Sequence, residues 1–598
     1  MSVSGTATEG TGRARAAQVL RPLGHTGGVR IDGGPLAERI ADAAATYLTM
    51  DPDDILHGFR LAAGRPAPGA PMTGWSTVTT EPTFGQWVSG LARLGATAGV
   101  RAASERAIRL VDGFADTVGP DGDVRMSLYG YEKLICGLVD TFTLAGHEPA
   151  LALLERTVPW ADRTFDRARP TPSARDFAGG RIGPTSHART LEWYTLAENL
   201  HRAWLAGADE RVGEFAREWH YDAYWDRFLT EPQPGLAWPV PTWLHAYSHL
   251  NTFASAAAAY EATGEDRYLE IVRNAHTYFT TTQTFATGGY GPSEFTLPED
   301  GALGRSLEWR TDSAEIVCGS WAAFKVSAAL LTYTGEARYG DWVEQLVYSG
   351  IGAVTPVRPG GRTPYYQDYR LGVATKLPHW DDWPCCSGTY LQCVSELPNF
   401  LYYAADDGLA VLLYVPSTVS WEHEGREFGL TLQTSFPQTD DARLTLRGSG
   451  HLALRLRVPS WSDGFAAAVN GEPVPAVATG GDWLVIDRDW CDGDVIDVTI
   501  GAGLRVLPVD ARHPNRVAFA HGPVVLAQKA DWTMPISLPT PWEMVDLDQA
   551  FEPGEGVRYT PVGVGTARLP LGDLRPLSEI AERTPYRVYF DLDDPRIV

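Results

Sequence analysis

The sequence lacks two features that membrane and nucleic-acid proteins need. It has no run of 18 or more consecutive apolar residues, which a membrane-spanning helix requires. Basic residues are outnumbered, because 50 Lys and Arg stand against 74 Asp and Glu, for a formal net charge of −24. A surface of that sign repels phosphate backbones and anionic lipids. We therefore expect no nucleic acid and no membrane among the partners.

Cysteine is also scarce, and an apolar leader is missing. Six cysteines in 598 residues are too few for a disulfide framework. The first residues, MSVSGTATEGTGRARAAQVL, contain no continuous apolar stretch of the kind that directs secretion. We expect a cytoplasmic protein with reduced thiols, in which residues 1–30 form a polar, glycine-rich, flexible tail.

Helical periodicity dominates residues 31–407. About twelve candidate helices occur there, and Gly146, Gly207, Gly264 and Gly335 stand where one helix of a hairpin ends and the next soon begins. The spacing of these glycines fits one helical hairpin plus a long loop. Six such hairpins predict an (α/α)6 toroid over residues 31–407. An open superhelical solenoid is the alternative.

After residue 408 the apolar residues recur with a period of two, which is typical of β-strands. Segments such as LALRLRVPSW and DVIDVTI alternate apolar and polar residues between turn signals. Residues 408–509 are therefore predicted to form a β-sandwich. Residues 510–598 are predicted to form a second β module that packs on the first. The predicted fold class is mainly α, a toroid followed by all-β sandwich modules.

Two segments bring together three cysteines and a glutamate. Cys385 and Cys386 are adjacent at the start of a predicted helix, where the helix N-terminus lowers the pKa of a thiol. Glu315 and Cys318 are three residues apart and are predicted to share one face of an earlier helix. Three thiolates and a carboxylate match the donors of a tetrahedral Zn²⁺ site. For the Cys-Cys pair alone, two buried thiols without a metal remain the alternative.

These segments resemble glycoside hydrolase family 127, the β-L-arabinofuranosidase family. The β-region segments VNGEPV and VAFAHGPVVLAQ are also similar to that family, and the resemblance extends from about Leu56 to Lys529. It implies an exo-acting, retaining glycosidase of carbohydrate metabolism that cleaves a furanoside or a related small glycoside. The expected partner is a small glycoside or oligosaccharide, and the resemblance leaves a homodimer open.

The resemblance also implies roles for individual residues. Cys385 is expected to be a zinc-bound thiolate that attacks the anomeric carbon, and Glu294 the general acid/base. Cys386, Cys318 and Glu315 are expected to complete the zinc site. The positions expected to bind the substrate are His249, Tyr365, Tyr366, Gln86 and Glu132.

The sequence departs from the family pattern at some of these positions. Two residues separate Glu315 from Cys318, where the family usually has one. Gln86 and Glu132 stand where the family often has histidine. Two other functions remain as alternatives. One is a different (α/α)6 carbohydrate enzyme, such as an unsaturated glycuronidase or a lyase, and the other is a non-catalytic carbohydrate-binding protein with a structural zinc.

Overall fold

The helical half of the chain closes into a ring. The computed structural model describes residues 13, 15–26, 28–165, 192–230, 244–297, 300–475, 478–530, 546–562 and 571–592. Among these residues six helices line the inside of the ring, each packing on the next and the last packing on the first. The inner helices are Phe84–Ala98, Leu128–Ala145, Ala197–Ala206, Ala246–Thr263, Ile316–Thr334 and Cys385–Glu396.

A second layer of helices covers the outside of the ring. Five of them follow an inner helix in the sequence and pack on it, while the first packs on the last inner helix, Cys385–Glu396. This confirms the predicted (α/α)6 toroid. The outer helices are Gly34–Leu48, Arg101–Ala115, Glu148–Thr164, Glu210–Glu218, Asp266–Thr282 and Gly340–Ser349. Shorter or peripheral helices are Pro52–Ala62, Asp222–Trp225, Ala302–Ser306 and Leu547–Ala550.

The glycines that signalled the hairpins end inner helices as predicted. Gly146 and Gly264 follow Leu128–Ala145 and Ala246–Thr263, with left-handed φ values of 67° and 70°. Glycine adopts this conformation without the steric cost that a side chain imposes, so the chain turns sharply into the outer helix.

The inner helix Ile316–Thr334 is long and apolar enough to cross a membrane by length and composition, with a mean hydropathy of 1.3. In the folded protein 83% of that apolar window is buried. Neighbouring helices of both layers pack around it. Its apolar character therefore matches that of a core helix, which is apolar on all sides because protein surrounds it.

The β-sandwich consists of two sheets. In order across the sheet, the five-stranded sheet contains Arg21–Pro22, Tyr402–Ala405, Gly408–Val411, Gly450–Arg457 and Trp483–Trp490. The seven-stranded sheet contains Glu472–Pro473, Ala466–Val469, Val495–Thr499, Asp441–Arg447, Arg426–Thr434, Ser417–His423 and Val29–Ile31. Alternate residues of these strands are buried, as the two-residue period predicted.

The sandwich begins earlier in the chain than predicted. Arg21–Pro22 pairs with Tyr402–Ala405, and Val29–Ile31 pairs with Ser417–His423, so this part of the predicted flexible tail is ordered. The prediction is wrong here because such short strands have too few residues to show a period. The sandwich also takes Tyr402–Ala405 from the region 31–407 that was predicted to be helical, and the last inner helix ends before it, at Glu396.

A third sheet follows and packs against the toroid. Its strands are Leu504–Asp510, His513–His521, Val524–Lys529, Leu574–Pro576, Tyr559–Pro561, Phe551–Pro553, Tyr586–Arg587 and Tyr589–Asp591. One apolar face shares a buried cluster with Phe285, Leu303 and Tyr369 from the long loops of the toroid. Among the described residues, neither of the sheet's two apolar clusters includes a sandwich residue. The prediction that this module packs on the sandwich is therefore wrong for its main apolar contacts.

Candidate active site

The helix Cys385–Glu396 begins at the two adjacent thiols. Trp383 has a left-handed φ of 50°, and Pro384 precedes the helix in extended backbone. Cys385 and Cys386 are the first two residues of the helix, as predicted. The first N–H groups of a helix have no partner within it, and the helix dipole favours negative charge there. The fold therefore places both thiols at the positive end of a helix dipole.

Glu315 reaches the same place from a strand. It ends the two-residue strand Ala314–Glu315, which pairs with Tyr366–Gln367, and the helix begins only at Ile316. The N–H of Ile316 donates to the Tyr365 carbonyl at 3.1 Å, which holds the chain extended up to this point. The prediction that Glu315 and Cys318 share a helical face is therefore wrong. The extended backbone accommodates the additional residue between them.

Glu315, Cys318, Cys385 and Cys386 form a buried cluster. Their four potential ligand atoms lie within 4.8 Å of one another. The Sγ of Cys318 is 3.7 Å from that of Cys385 and 3.3 Å from that of Cys386. The Cys386 thiol donates to Oε1 of Glu315 at 3.9 Å. The four residues predicted as zinc ligands are thus close enough together to hold one metal ion.

The electrostatics of the cluster single out Cys385. Its pKa lies well below the usual value, because the thiols of Cys318 and Cys386 and the hydroxyl of Tyr365 donate hydrogen bonds to the thiolate. Burial raises the pKa of Cys318 and of Cys386 well above that value. Burial also raises the pKa of Glu315 to about 8. Ionising all four groups together requires a cation, because buried like charges repel.

Glu315 also has a free acceptor. Its buried Oε2 has no hydrogen-bond partner among the described residues, although Nε2 of His245 lies 3.7 Å away. Buried carboxylate oxygens are normally hydrogen-bonded or bound to a metal. Together with three thiols, this oxygen completes a donor set of the type and number that Zn²⁺ prefers.

A cavity of about 430 Å³ opens above Cys385. Cys385, Glu294, Glu315 and Tyr365 line it, so four of the predicted site residues meet there. None of its described lining residues is a lysine or an arginine. Four are glutamates, Glu81, Glu192, Glu294 and Glu315, and four are aromatic, Trp75, Tyr129, Tyr247 and Tyr365.

Glu294 is presented by a strained turn. Ser293 and Glu294 have positive φ values of 52° and 68°, which cost side-chain-bearing residues about 1–3 kcal/mol each and cluster at functional sites. Asp312 holds the turn, because the Ser293 N–H donates to its carbonyl at 2.9 Å and the Ser293 hydroxyl donates to its carboxylate at 2.6 Å. Tyr366, predicted to bind substrate, donates its hydroxyl proton to Oε1 of Glu294.

His245 joins three of these carboxylates, and sequence reasoning missed it. Its Nδ1 is 3.0 Å from Glu192, while its Nε2 is 3.6 Å from Glu294 and 3.7 Å from Glu315. Burial lowers the pKa of His245, but the neighbouring carboxylates of Glu192 and Glu315 outweigh it and leave the pKa well above the usual value. An imidazolium here balances part of the negative charge of the cavity.

His249 lies one helical turn beyond His245 and does not line the cavity. Its side chain is fully buried among the rings of Tyr194, Tyr221 and Tyr224. Burial lowers its pKa to about 3. The prediction that His249 binds substrate is therefore wrong. The segment WLHAYSHLNTF contains both histidines, and only the start of the helix decides which one faces the cavity.

Gln86 and Glu132 also lie behind the cavity wall rather than on it. Gln86 donates to the Thr389 hydroxyl at 2.8 Å, and that hydroxyl is 3.2 Å from the Sγ of Cys318. Glu132 is buried in an ion pair with Lys133. Neither residue lines the cavity, so the prediction of direct substrate contact is wrong for both. Their polar groups instead hold neighbouring inner helices together.

Comparison with known proteins agrees with this arrangement. The sequence matches the GH127 catalytic domain of β-L-arabinofuranosidases over residues 28–399 and the GH127 middle domain over residues 408–501. No curated protein matches the sequence.

Three similar solved structures share the fold over nearly the whole chain. One is a glycoside hydrolase with 16% identity and a TM-score of 0.69, covering 98% of this chain and 99% of that chain. A GH127 β-arabinofuranosidase has 17% identity and a TM-score of 0.71, covering 96% and 98%. A GH127 β-L-arabinofuranosidase from Geobacillus stearothermophilus T6 has 18% identity and a TM-score of 0.69, covering 94% and 100%. With a catalytic-domain match over more than half of its length, this chain belongs to glycoside hydrolase family 127, the β-L-arabinofuranosidase family, and is a glycoside hydrolase that acts on a carbohydrate.

Proposed function

We propose that this protein is an exo-acting, retaining β-L-arabinofuranosidase with Cys385 as its nucleophile and Glu294 as its general acid/base. The observation that carries the proposal is that both side chains line one cavity, while the other three members of the cysteine cluster lie around Cys385. A thiolate is a strong nucleophile, and the hydrogen bonds that lower the pKa of Cys385 favour that form.

The first half of the reaction breaks the glycosidic bond. The Cys385 thiolate attacks the anomeric carbon and forms a carbon–sulfur bond as the bond to the leaving oxygen breaks. Glu294, in its acid form, donates its proton to that oxygen, so that the leaving group departs as a neutral alcohol. Tyr366 donates a hydrogen bond to Glu294 and holds the carboxyl in place.

The second half releases the sugar. The Glu294 carboxylate takes a proton from a water molecule, whose oxygen attacks the anomeric carbon from the side that the leaving group left. The carbon–sulfur bond breaks, and its electron pair returns to Cys385 as a thiolate. Each displacement inverts the anomeric carbon, so the two together retain its configuration.

The residues of the cluster fit a Zn²⁺ ion. Glu315, Cys318, Cys385 and Cys386 would hold it, with the free Oε2 of Glu315 among the donor oxygens. When bound, zinc supplies positive charge that keeps the coordinating thiols ionised at neutral pH. Cys318 and Cys386 fix the position of the Cys385 sulfur from behind and leave its open side toward the cavity.

The shape and charge of the cavity support the substrate class. Cys385 and Glu315 lie at its wall within a ring of helices that packs closed on itself, which suits the terminal sugar of a chain. An unsaturated glycuronidase or a lyase acts on an anionic sugar. The described lining residues include no lysine or arginine that could pair with the carboxylate of such a substrate, so the cavity favours a neutral sugar.

Covalent labelling tests the nucleophile directly. We expect a furanose-configured epoxide of the cyclophellitol type to label Cys385, with mass spectrometry locating the label on the peptide from Trp383 to Tyr390. Cys491 is an internal control, because it is the exposed cysteine of the six and a non-specific electrophile reaches it first. A label on a carboxylate would return the protein to the ordinary two-carboxylate mechanism.

A substrate screen on the same preparation tests the activity. We expect release of p-nitrophenol from the β-L-arabinofuranoside, together with about one zinc per chain by metal analysis. The first sugar released, observed by NMR before it equilibrates, should retain the β configuration. Binding of furanosides without turnover would favour a non-catalytic carbohydrate-binding protein instead.

A further inference from the structure

Two tryptophans are exposed near the cavity. The side chain of Trp380 is 75% exposed and that of Trp75 is 41% exposed, and Trp75 also lines the cavity. A single exposed apolar residue needs no explanation. These two are different, because a continuous set of ring contacts connects them to the nucleophile.

His379 and Tyr365 make that connection. The Tyr365 hydroxyl lies 3.7 Å from the Sγ of Cys385. The His379 ring stacks on Tyr365 with 4.9 Å between centroids, and the Trp380 ring lies 3.9 Å from that of His379. Trp75 meets both Tyr365 and His379 edge-on, at 6.5 Å and 5.8 Å. The rings therefore form a path from the reacting sulfur to solvent.

Asp382 fixes the two tryptophan segments to each other. The Trp75 N–H donates to the Asp382 carbonyl at 3.1 Å, and the Thr73 hydroxyl donates to the Asp382 carboxylate at 3.1 Å. Arg362 donates to the other oxygen of that carboxylate at 3.2 Å. At Gly74, whose φ is +60°, a Cβ atom would lie 2.0 Å from the Asp382 carbonyl oxygen. The segments thus approach closely, and the backbone that carries the two tryptophans is held in place before any ligand binds.

We propose that Trp75 and Trp380 bind the leaving group of the substrate, and that this group presents a flat apolar face. This proposal rests on the proposed function, since it takes Cys385 as the reacting end of the cavity. The sugar cleaved occupies the cavity with its anomeric carbon facing Cys385, so the group attached to it extends away from Cys385, past the part of the cavity wall that Trp75 lines. An aromatic ring and a pyranose ring share the flat face that stacks on an indole. Rigid rings bind at low entropic cost because they are ordered beforehand.

Trp75 and Trp380 together are called the platform, and kinetics with three leaving groups test it. The substrates are the methyl, phenyl and pyranosyl β-L-arabinofuranosides, of which the methyl glycoside has no flat face. We expect Trp380→Ala and Trp75→Ala each to lower kcat/KM by about 3- to 10-fold on a substrate with a flat leaving group, mainly through KM. Turnover of the methyl glycoside should fall less than turnover of the substrates with flat leaving groups, and Trp380→Phe should restore part of the loss.

Trp309→Ala is the matched control. Trp309 is 64% exposed, but it stacks with Arg310 and does not line the cavity. We expect this variant to match the wild type on all three substrates. A loss on the phenyl glycoside alone assigns the platform to aromatic leaving groups, and a loss on the pyranosyl glycoside alone assigns it to sugars.

Two failures are distinguishable. If the wild type hydrolyses furanosides and the tryptophan variants lose no more on flat leaving groups than on methyl, the platform is overturned and the proposed function stands. If the wild type hydrolyses no furanoside, the proposed function is overturned. Calorimetric titration with methyl and phenyl glycosides of other sugars then tests the platform by itself, and equal affinities in wild type and variants would overturn it.

Discussion

Cys385 and Cys386 are neighbours in the sequence, yet their surroundings differ. Cys385 receives hydrogen bonds and lines the cavity, whereas Cys386 is fully buried and donates to Glu315. Composition alone does not rank the two thiols. Their positions on the first turn of one helix rank them, because Cys385 lines the cavity and Cys386 does not.

Serine substitutions should separate these roles. We expect Cys385→Ser to abolish turnover while the fold and part of the bound zinc remain, because a neutral hydroxyl is a far weaker nucleophile than a thiolate. Cys386→Ser should weaken metal binding and leave partial activity that added zinc restores. Parallel measurements of turnover and metal content check both. Equal residual activity in the two variants would contradict the ranking.

Glu294 can be tested through the leaving group. We expect Glu294→Gln to reduce kcat by about 10²–10⁴-fold on alkyl glycosides, since an amide donates no proton to the leaving oxygen. The loss should be smaller for p-nitrophenyl glycosides, whose leaving group needs little protonation. A Brønsted series of aryl glycosides measures this difference. A variant as active as the parent on alkyl glycosides would assign the acid role to another residue.

His276 provides a test of stability far from the cysteine cluster. Burial, with a smaller effect of the Arg338 charge, lowers its pKa to about 3, and its ring packs on Tyr339 and Trp342. In the unfolded chain His276 becomes protonated as the pH falls below about 6.5, whereas in the folded protein it stays neutral down to about pH 3. Stability from this group is present above about pH 6.5 and is lost as the pH falls toward 3.

The effect is measurable as the slope of the unfolding free energy against pH. Between about pH 5.5 and 4, His276→Leu should reduce the pH dependence of the unfolding free energy by about 1.4 kcal/mol per pH unit. Above pH 7 the slope should equal that of the wild type, which serves as the internal control. Urea denaturation at several pH values gives both slopes. Identical slopes at low pH would show that the folded protein protonates His276 readily.

At the scale of elements, the inner helices come unusually close. A Cβ atom added at Gly85, on Phe84–Ala98, would lie 1.8 Å from the Lys133 carbonyl oxygen on Leu128–Ala145. A backbone atom cannot swing aside as a side chain does. The glycine therefore sets the distance between two helices of the ring.

Gly85→Ala should consequently force these helices apart. We expect the unfolding free energy to fall by about 1–3 kcal/mol or more, since this is the usual cost of overpacking. Activity should also fall, because the neighbouring Gln86 donates a hydrogen bond to Thr389 on the helix that begins at Cys385. Gly33→Ala is the matched control, since a Cβ there meets nothing within 4 Å. Urea denaturation of both variants checks the prediction. Equal stability would mean that the helices separate at little cost.

The length of each element explains whether the sequence predicted it. Long helices such as Phe84–Ala98 were predictable because several turns of apolar periodicity define them. The strand Ala314–Glu315 has only two residues and is defined by its partner Tyr366–Gln367, so no local pattern indicates it. The cysteine cluster was predictable from residue types. His245 was not, because its orientation depends on where a helix begins.

At the scale of the whole molecule, the third sheet supports the loop that carries Glu294, the proposed acid/base. The Ala286 N–H donates to the Tyr589 hydroxyl at 2.8 Å, and Phe285 packs in the same cluster as Tyr589. Glu294 follows a few residues later on the same long loop. A β module far from the cysteines in sequence therefore helps to position the proposed acid/base.

Removing one hydroxyl tests this support. We expect Tyr589→Phe to lower kcat several-fold and the unfolding temperature slightly, because the partly buried Ala286 N–H loses its acceptor, while zinc content stays unchanged. Tyr559→Phe is the matched control on the same sheet, since its hydroxyl contacts His521 instead. Steady-state kinetics with metal analysis compares the two. Equal kcat values in the two variants would show that the third sheet does not influence catalysis.

The strands Arg21–Pro22 and Val29–Ile31 also set an order of events during synthesis. Their partners lie in Tyr402–Ala405 and Ser417–His423. Roughly 390 residues separate each strand from its partner, and a ribosome adds about 5–20 residues per second. The first strands are therefore synthesised about 20–80 s before their partner strands. Throughout that interval the nascent chain carries strand edges without partners, and the sandwich is completed only after the ring of helices has been made.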